Sequence, residues 1–182
     1  MDTHEIIQLR LLKEDFKKIT FLENYTTLFV DSSNYKEHLS DLLSVSDLMK
    51  LDFKWEGIPN EETLHKRFEH NSHCLFWKYN DTPIGWAWSN HNVTPLWESS
   101  IQQLSKGEIY GGGAFLSRRV QRPPNSGVVF YNLTFDYWLN EMNNDCVLQY
   151  SDNWNRVSSI MSYKNGFKNY NFIKEKNGNR KH

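Results

Sequence analysis

The alternation of apolar and polar positions predicts a chain that switches between strands and helices. Residues 5–12 are apolar and close to alternating, which is the pattern of a first strand. From Lys13 to about Lys54 the apolar residues recur at helical spacing instead. A further helix is predicted from Pro59 to about Glu69, because Asn60 is a favourable N-cap and two acids occupy the first turn.

A β-hairpin is the clearest local prediction. Residues 74–79 and 84–88 are strand-like runs, and residues 80–83 between them have the composition of a turn. The later elements are a strand over 108–116, a helix over about 127–142, a strand over 146–150, a helix over about 153–164 and a strand over 169–174. This order predicts one α/β domain over residues 1–182, with a mixed central sheet flanked by helices and a frayed tail over 175–182.

Composition adds an unusual aromatic content to this picture. Of the 182 residues, 15% are aromatic, which excludes a disordered chain because such chains lack the side chains that offset ordering entropy. The net charge of −1 argues against a general nucleic-acid binder, which needs a basic face. No apolar run is long enough for a membrane span, and no secretory leader is visible. We therefore expect a cytoplasmic protein in which Cys74 and Cys146 are small buried side chains.

The most informative segment for chemistry is Glu108–Gly127. Three consecutive glycines, Gly111–Gly113, interrupt its predicted strand, and glycine persists in strands where another backbone or a ligand approaches closely. Arg118, Arg119 and Arg122 follow, and Asn125-Ser126-Gly127 then opens a helix whose N-terminus offers unpaired N–H groups. This combination predicts a phosphate cradle. An ordinary strand-to-helix loop with solvated arginines fits the same residues equally well.

A second segment bears on that choice. Asn155 and Ser158 precede Tyr163-Lys-Asn-Gly-Phe167, and this pattern, taken with the loop Arg122–Gly127, resembles the GNAT superfamily of acyl-CoA-dependent N-acyltransferases. The family loop has the form Gln/Arg-x-x-Gly-x-Gly/Ala, and here Asn125 replaces its first glycine. The resemblance covers about residues 74–174 and implies a single-domain GNAT-like fold with a splayed strand beside the loop.

By this resemblance the co-substrate is acetyl-CoA, and no metal is implied. The backbone N–H groups of residues 122–127 would hold its pyrophosphate, and one strand edge would pair with its pantetheine arm in the manner of β-augmentation. The residues expected to bind the cofactor are Ala114, Phe115, Leu116, Arg122, Asn125, Ser126, Gly127 and Asn155.

The resemblance also implies a carboxylate base on the glycine-bearing strand and a tyrosine acid on the later helix. Glu108 is the candidate base and Tyr163 the candidate acid. Both are displaced from the usual positions, since Glu108 lies upstream of the glycines and the usual acid position falls on Ser162. A strand-start carboxylate and a core tyrosine are the alternative interpretations of these two residues.

Four aromatic residues are candidates for an acceptor surface, although core packing is the commoner fate of tryptophan: Trp86, Trp88, Trp97 and Tyr110. Aromatic faces stack on sugar rings and bases and enclose cations. We expect a small-molecule primary amine as acceptor, with a nucleotide-linked amino sugar favoured, and a monomer or homodimer. Two alternatives stay open, a catalytically silent acyl-CoA-binding module and an acyltransferase that modifies a protein or an aminoacyl-tRNA.

Overall fold

A computed structural model of the protein describes residues 3–19, 24–54, 57–93, 103–152 and 155–176. Its strands are β1 Thr3–Leu12, β2 Tyr25–Val30, β3 Ser72–Tyr79, β4 Thr82–His91, β5 Glu108–Leu116, β6 Cys146–Asp152 and β7 Lys168–Lys176. Its α-helices are α1 Leu39–Asp52, α2 Glu61–Glu69, α3 Ser126–Asp136, which continues into a π-helical turn Tyr137–Glu141, and α4 Arg156–Lys164. The predicted α/β class is confirmed.

Two boundary predictions were wrong. The stretch assigned to helical spacing after Lys13 contains strand β2, whose sequence Tyr-Thr-Thr-Leu-Phe-Val is rich in the β-branched and aromatic residues that favour strands. Strand β7 extends through Lys176, where it pairs with β1, so the predicted frayed tail does not begin at residue 175. Residues 177–182 lie outside the described residues.

The seven strands form one sheet in the order β2-β3-β4-β5-β6-β1-β7. Five neighbouring pairs are antiparallel, and the pair β5–β6 is parallel. Strand β1 therefore lies between β6 and β7, two strands that come last in the sequence, and it pairs with both along most of its length.

Helices cover both faces of the sheet. On one side, which we call the α3 face, Leu9, Trp77, Ile109 and Val147 from the strands pack with Phe130 and other side chains of α3. On the other side, the α1 face, apolar residues of β2, β3, β4 and β5 pack with α1 and α2. Both predicted cysteines are buried and unpaired, as expected. Among the described residues, no helix is long and apolar enough to cross a membrane.

The glycine run in β5 is explained by close aromatic packing. A Cβ added to Gly111 would lie 2.3 Å from the ring of Trp138, so only glycine allows that ring to reach the sheet. Gly113 has a φ of 60°, in the left-handed region, and lies where the β4–β5 register shifts opposite Trp86–Trp88. The close approach predicted from the sequence is therefore made, at Gly111, by an indole of the protein itself.

We predict that Gly111→Ala destabilises the protein by about 1–3 kcal/mol, because the added methyl group overlaps the Trp138 ring in a packed interior. Gly127→Ala is the matched control. A Cβ at Gly127 meets its nearest neighbour, Met161 Cε, at 3.5 Å, an ordinary contact, and alanine favours the helix. Urea unfolding of both variants measures the difference, and equal stabilities would contradict this account of the glycine run.

Two half-buried histidines lie close together on neighbouring strands. The rings of His73 and His91 are 5.2 Å apart, and His73 also lies 5.4 Å from the ring of Phe29. Burial lowers the pKa of His73, the neighbouring His91 lowers it further, and Asp31 acts in the opposite direction. Burial likewise lowers the pKa of His91. Both imidazoles therefore bind a proton less readily in the folded protein than in the unfolded chain.

This pair should make stability depend on pH. Because the folded pKa values lie below that of a free histidine, about 6.5, the unfolded chain takes up protons first as the pH falls through that value. We expect the free energy of unfolding to decrease below about pH 6.5. In the His73→Phe variant, the free energy of unfolding should depend less on pH. Denaturant titrations at pH values above and below about 6.5 measure this difference. An unchanged pH slope in the variant would exclude His73 as a source of the dependence.

Candidate functional site

Strands β5 and β6 pair over three residues and then separate. The paired positions are Glu108 with Cys146, Ile109 with Val147 and Tyr110 with Leu148. Beyond them, residues 111–116 keep a strand partner only on the β4 side and residues 149–152 only on the β1 side, within the described residues. We call the opening between these segments the strand gap. At about 3.3 Å per residue, its β5 edge is roughly 17 Å long.

The open end of the strand gap is flanked by two helix N-termini. Because β5 and β6 are parallel, their carboxyl ends lie at the same edge of the sheet. Helix α3 begins at Ser126 after β5, and α4 begins at Arg156 after β6. Each N-terminus carries unpaired backbone N–H groups and the positive end of a helix dipole. An anionic group is therefore favoured at this end of the gap.

The N-terminus of α3 is left open by its own cap. Asn125 has a φ of 66° and its side chain makes no capping hydrogen bond, so it does not occupy the first-turn N–H groups of Gly127 and Val128. Pro123 and Pro124 have no N–H to contribute. The backbone N–H donors of the predicted phosphate cradle are therefore those at the helix start, and residues 122–127 do not all contribute one.

Ser126 anchors the helix start through its side chain. Its Oγ donates to the carbonyl of Pro123 at 2.5 Å and lies 2.8 Å from the hydroxyl of Tyr25, and the residue is buried. The backbone N–H of Ser126 also donates to the Pro123 carbonyl, at 3.4 Å, so both donors of this residue are bonded within the protein. Leu116 and Met161 approach Gly127, so the end of β5, α3 and α4 meet at this point.

Two of the three arginines beside the loop, Arg119 and Arg122, bind the protein itself, which corrects part of the predicted cradle. The guanidinium of Arg122 donates to the carbonyls of Ser117 and Val120, and burial lowers its pKa. Arg119 forms an ion pair with Asp52, with Nε and Oδ1 3.1 Å apart. Both side chains brace the loop that carries the helix N-terminus.

Asp52, at the end of α1, is the acceptor that holds this loop. Its carboxylate is 6% exposed and receives the Ser117 hydroxyl at 3.1 Å and the Arg118 backbone N–H at 2.9 Å, besides the Arg119 ion pair. Sequence reasoning missed this residue, because nothing near Asp52 in the chain indicates a contact about 65 residues away.

Asn155 caps helix α4. Its side-chain oxygen accepts the backbone N–H of Ser158 at 3.2 Å, which explains the spacing of these two residues in the sequence. The side-chain amide nitrogen takes no part in that bond. Asn155 therefore lies at the second helix N-terminus beside the gap.

Neither predicted catalytic side chain lies on the unpaired segments that form the strand gap. Glu108 is at the paired end of β5, where its carboxylate accepts the Ser105 N–H at 2.8 Å and lies 3.7 Å from Arg10. Tyr163 donates its hydroxyl to Asn169 of β7 at 2.5 Å, and β7 is separated from β6 by β1. The structure therefore does not support a direct role for either residue at the gap. The usual acid position, Ser162, is buried and bonded to Gln149.

The predicted acceptor aromatics are core residues. Trp86 and Trp88 are 1% and 0% exposed and pack with α1 and α2, and the Arg67 guanidinium lies over the Trp88 ring at 4.7 Å. Tyr110 is 1% exposed. Trp97 lies outside the described residues. Burial of the hairpin tryptophans corrects the expectation that they present a surface to an acceptor, since neither has an accessible face.

The arrangement fits an extended ligand that carries an anion at one end. The cofactor-binding prediction places Ala114, Phe115 and Leu116 on the unpaired edge of β5, and this edge offers backbone donors and acceptors in a row. A phosphate at the α3 N-terminus and an amide-bearing chain along this edge would use both features. Among the described residues, no cluster of three or more metal-ligating side chains is present.

Comparison with known proteins identifies the fold. No family model matches the sequence, and no curated protein matches it. Among solved structures, a conserved protein of unknown function from Staphylococcus epidermidis has a TM-score of 0.62 at 13% identity, over 94% of this chain and 60% of that one. A tandem GNAT protein from the clavulanic acid biosynthesis pathway also has 0.62, at 11% identity, over 98% of this chain and 56% of that one.

A third match is an aminoglycoside acetyltransferase from an uncultured soil metagenomic sample, solved with trehalose, with a TM-score of 0.50 at 12% identity over 78% and 87% of the two chains. GCN5-related N-acetyltransferases are among the other matches. The chain has the GNAT fold, with a seven-stranded mixed sheet flanked by helices. It spans about half to three-fifths of the length of the first solved structures that it matches.

We predict that Asp52→Ala lowers the free energy of unfolding by about 1–3 kcal/mol, because several donors of the loop lose a buried acceptor. Asp47→Ala is the matched control on the same helix, since Asp47 is exposed and pairs only with Lys50 three residues later, an interaction of about 0.5 kcal/mol or less. Denaturant unfolding compares the two variants. Equal losses would show that Asp52 does not hold the loop.

Proposed function

We propose that this protein is an N-acyltransferase that transfers an acetyl group from acetyl-CoA to a primary amine of a small molecule. The observation that carries the proposal is the strand gap with a helix N-terminus on each side of its open end, in a chain with the GNAT fold. Acetyl-CoA carries its thioester on an arm that contains amide groups, and this arm ends in a pyrophosphate. The free strand edge matches the amide groups, and the anion site at its open end matches the pyrophosphate.

The helix start at residues 125–128 would bind the pyrophosphate through backbone N–H groups. The edge at Ala114–Leu116 would hydrogen-bond the amides of the pantetheine arm, and the Asn155 side-chain amide would donate to the same arm from the opposite side. This binding mode uses few side chains. It explains why Arg119 and Arg122 can serve the loop rather than the ligand.

The reacting end of the arm would lie at the closed end of the gap, near the last paired residues Tyr110 and Leu148. Helices α3 and α4 pack on the α3 face, so the amine would reach the thioester from the α1 face. Backbone N–H groups of the unpaired β5 edge would stabilise the oxyanion that forms when the amine nitrogen attacks.

The acceptor class is proposed from the family and from a matched structure, whereas the donor site is proposed from the geometry of the gap. We retain a nucleotide-linked amino sugar as first choice, supported by the range of the family that the sequence resembles and by the matched aminoglycoside acetyltransferase. The buried Trp86 and Trp88 no longer contribute to this choice. We further propose that the protein acts in the cytoplasm, as a monomer or homodimer, without nucleic acid.

A second candidate function is a catalytically silent acyl-CoA-binding module. The positions of Glu108 and Tyr163 favour it, because neither expected catalytic side chain reaches the gap. The two candidates share the cofactor site and differ in turnover.

The test is calorimetric titration with CoA and acetyl-CoA, followed by thiol release from acetyl-CoA with a panel of amino sugars, aminoglycosides, polyamines and peptide N-termini. We expect binding of both ligands and turnover with at least one amine. The rate should rise with pH, since an alkylamine with a pKa of about 10.4 is mostly protonated at neutral pH. Binding without turnover would favour the silent module, and no binding would refute both candidates.

A further inference from the structure

Two tyrosines face each other where the strand gap closes. Tyr110 of β5 and Tyr150 of β6 have ring centroids 5.4 Å apart, and both rings lie in the small apolar cluster with Leu104 and Leu148. The sequence predicts Tyr110 only as an acceptor contact and gives no prediction for Tyr150. This pair deepens the proposed function and rests on it, because it lies where the thioester would end.

The position of Tyr150 follows from the strand register. Leu148 is the last residue of β6 that pairs with β5, and Tyr150 follows two residues later, about 7 Å along the unpaired edge and on the same face. Tyr110 folds over the opposite edge, since a Cβ at Gly112 would lie 2.7 Å from its hydroxyl. The two side chains therefore flank the closed end of the gap from its two sides.

Gln8 of β1 holds the hydroxyl of Tyr150. Its Nε2 donates to the Tyr150 oxygen at 3.3 Å, and Gln8 is 7% exposed and paired with Tyr150 in the β1–β6 register. This bond uses a lone pair of the hydroxyl and fixes the orientation of the ring. Tyr150 itself is half-buried, whereas Tyr110 is fully buried.

The face that carries Tyr150 is opposite to the face on which α4 bonds to Gln149 and Ser151 of β6. Helices α1 and α2 pack against β2, β3, β4 and β5, whereas the cluster around Tyr150 has no helix among its described members. Among the described residues, the titratable groups on this face at the closed end include Glu108, Arg10, Cys146 and the two tyrosines. Glu108 and Arg10 lie 3.7 Å apart, and Arg10 lies 5.0 Å from the ring centroid of Tyr170. The two tyrosine rings thus lie between this ion pair and the open part of the gap.

We propose that Tyr150 is the proton donor to the leaving sulfur, in place of a residue on α4. The amine nitrogen forms a bond with the thioester carbon, and the carbon–sulfur bond breaks with its electron pair on sulfur. Tyr150 gives its proton to that sulfur. The new amide nitrogen loses a proton through water, and this proton restores the tyrosine hydroxyl. Gln8 is a positioning residue, since it acts through Tyr150.

The residues of α4 explain why a strand tyrosine takes this role. The Tyr163 hydroxyl is bonded to Asn169 two strands beyond β6, and the Ser162 hydroxyl donates to Gln149 at 2.8 Å. Gln149 and Tyr150 are adjacent in β6 and point to opposite faces of the sheet. The Ser162 side chain therefore lies across the sheet from Tyr150.

The first test compares Tyr150→Phe with Tyr163→Phe, a matched loss of one hydroxyl. We expect Tyr150→Phe to lower kcat by about 100-fold or more with little change in the KM for acetyl-CoA, because the proton transfer is lost and the binding edge is kept. Tyr163→Phe should retain kcat within about twofold. Thermal unfolding of both variants checks that they fold. Equal kcat values for wild type and Tyr150→Phe would overturn the proposal.

The second test needs no turnover. Ultraviolet titration of the thiolate of bound CoA should give a lower thiol pKa in wild type than in Tyr150→Phe, because the hydroxyl hydrogen-bonds the thiolate. Gln8→Leu should give an intermediate value. Equal thiol pKa values with tight CoA binding would overturn the role of Tyr150 and leave the proposed function standing. Failure of CoA to bind wild type would overturn both.

Discussion

The short parallel pairing of β5 and β6 is the constraint on which the candidate site depends. Three paired residues hold the two strands in register, and beyond them each strand keeps a partner only on its outer side. Because the pair is parallel, both strands end at the same edge of the sheet, and the helix that follows each strand begins there. The Trp138 ring packs against Gly111, the first residue of β5 beyond the paired end, so aromatic packing in the core meets the sheet where the opening starts.

The polar groups around the gap form two sets: side chains that hold the loop in place, and backbone groups that are available to a ligand. Asp52, Arg119, Arg122 and the Ser126 side chain bind other protein groups and hold the loop in place. What remains for a ligand is mostly backbone, at the β5 edge and the α3 helix start. A backbone site places few demands on side-chain identity, which is consistent with a shared fold at 8–13% sequence identity.

Sequence reasoning predicted what local chemistry determines. The hairpin over β3 and β4 and the helix start capped by Asn60 depend on residues close in the chain, and the structure confirms both elements. Sequence reasoning failed where contacts between residues far apart in the chain determine burial or position. The burial of Trp86 and Trp88 depends on helices α1 and α2, and the separation of Tyr163 from the gap depends on the place of β1 in the sheet. Tyr150 was missed because only its pairing with β1 and its approach to Tyr110 distinguish it from other strand aromatics.

The place of β1 between β6 and β7 has a consequence for synthesis on the ribosome. The first strand emerges early, yet both of its hydrogen-bonding neighbours lie beyond residue 145. Until that part of the chain emerges, an apolar strand with the sequence Ile-Ile-Gln-Leu-Arg-Leu-Leu has two unsatisfied edges. The sheet is therefore complete only when nearly the whole domain has been synthesised, and pairing between such distant strands is of the kind that slows folding and leaves strand edges open to aggregation.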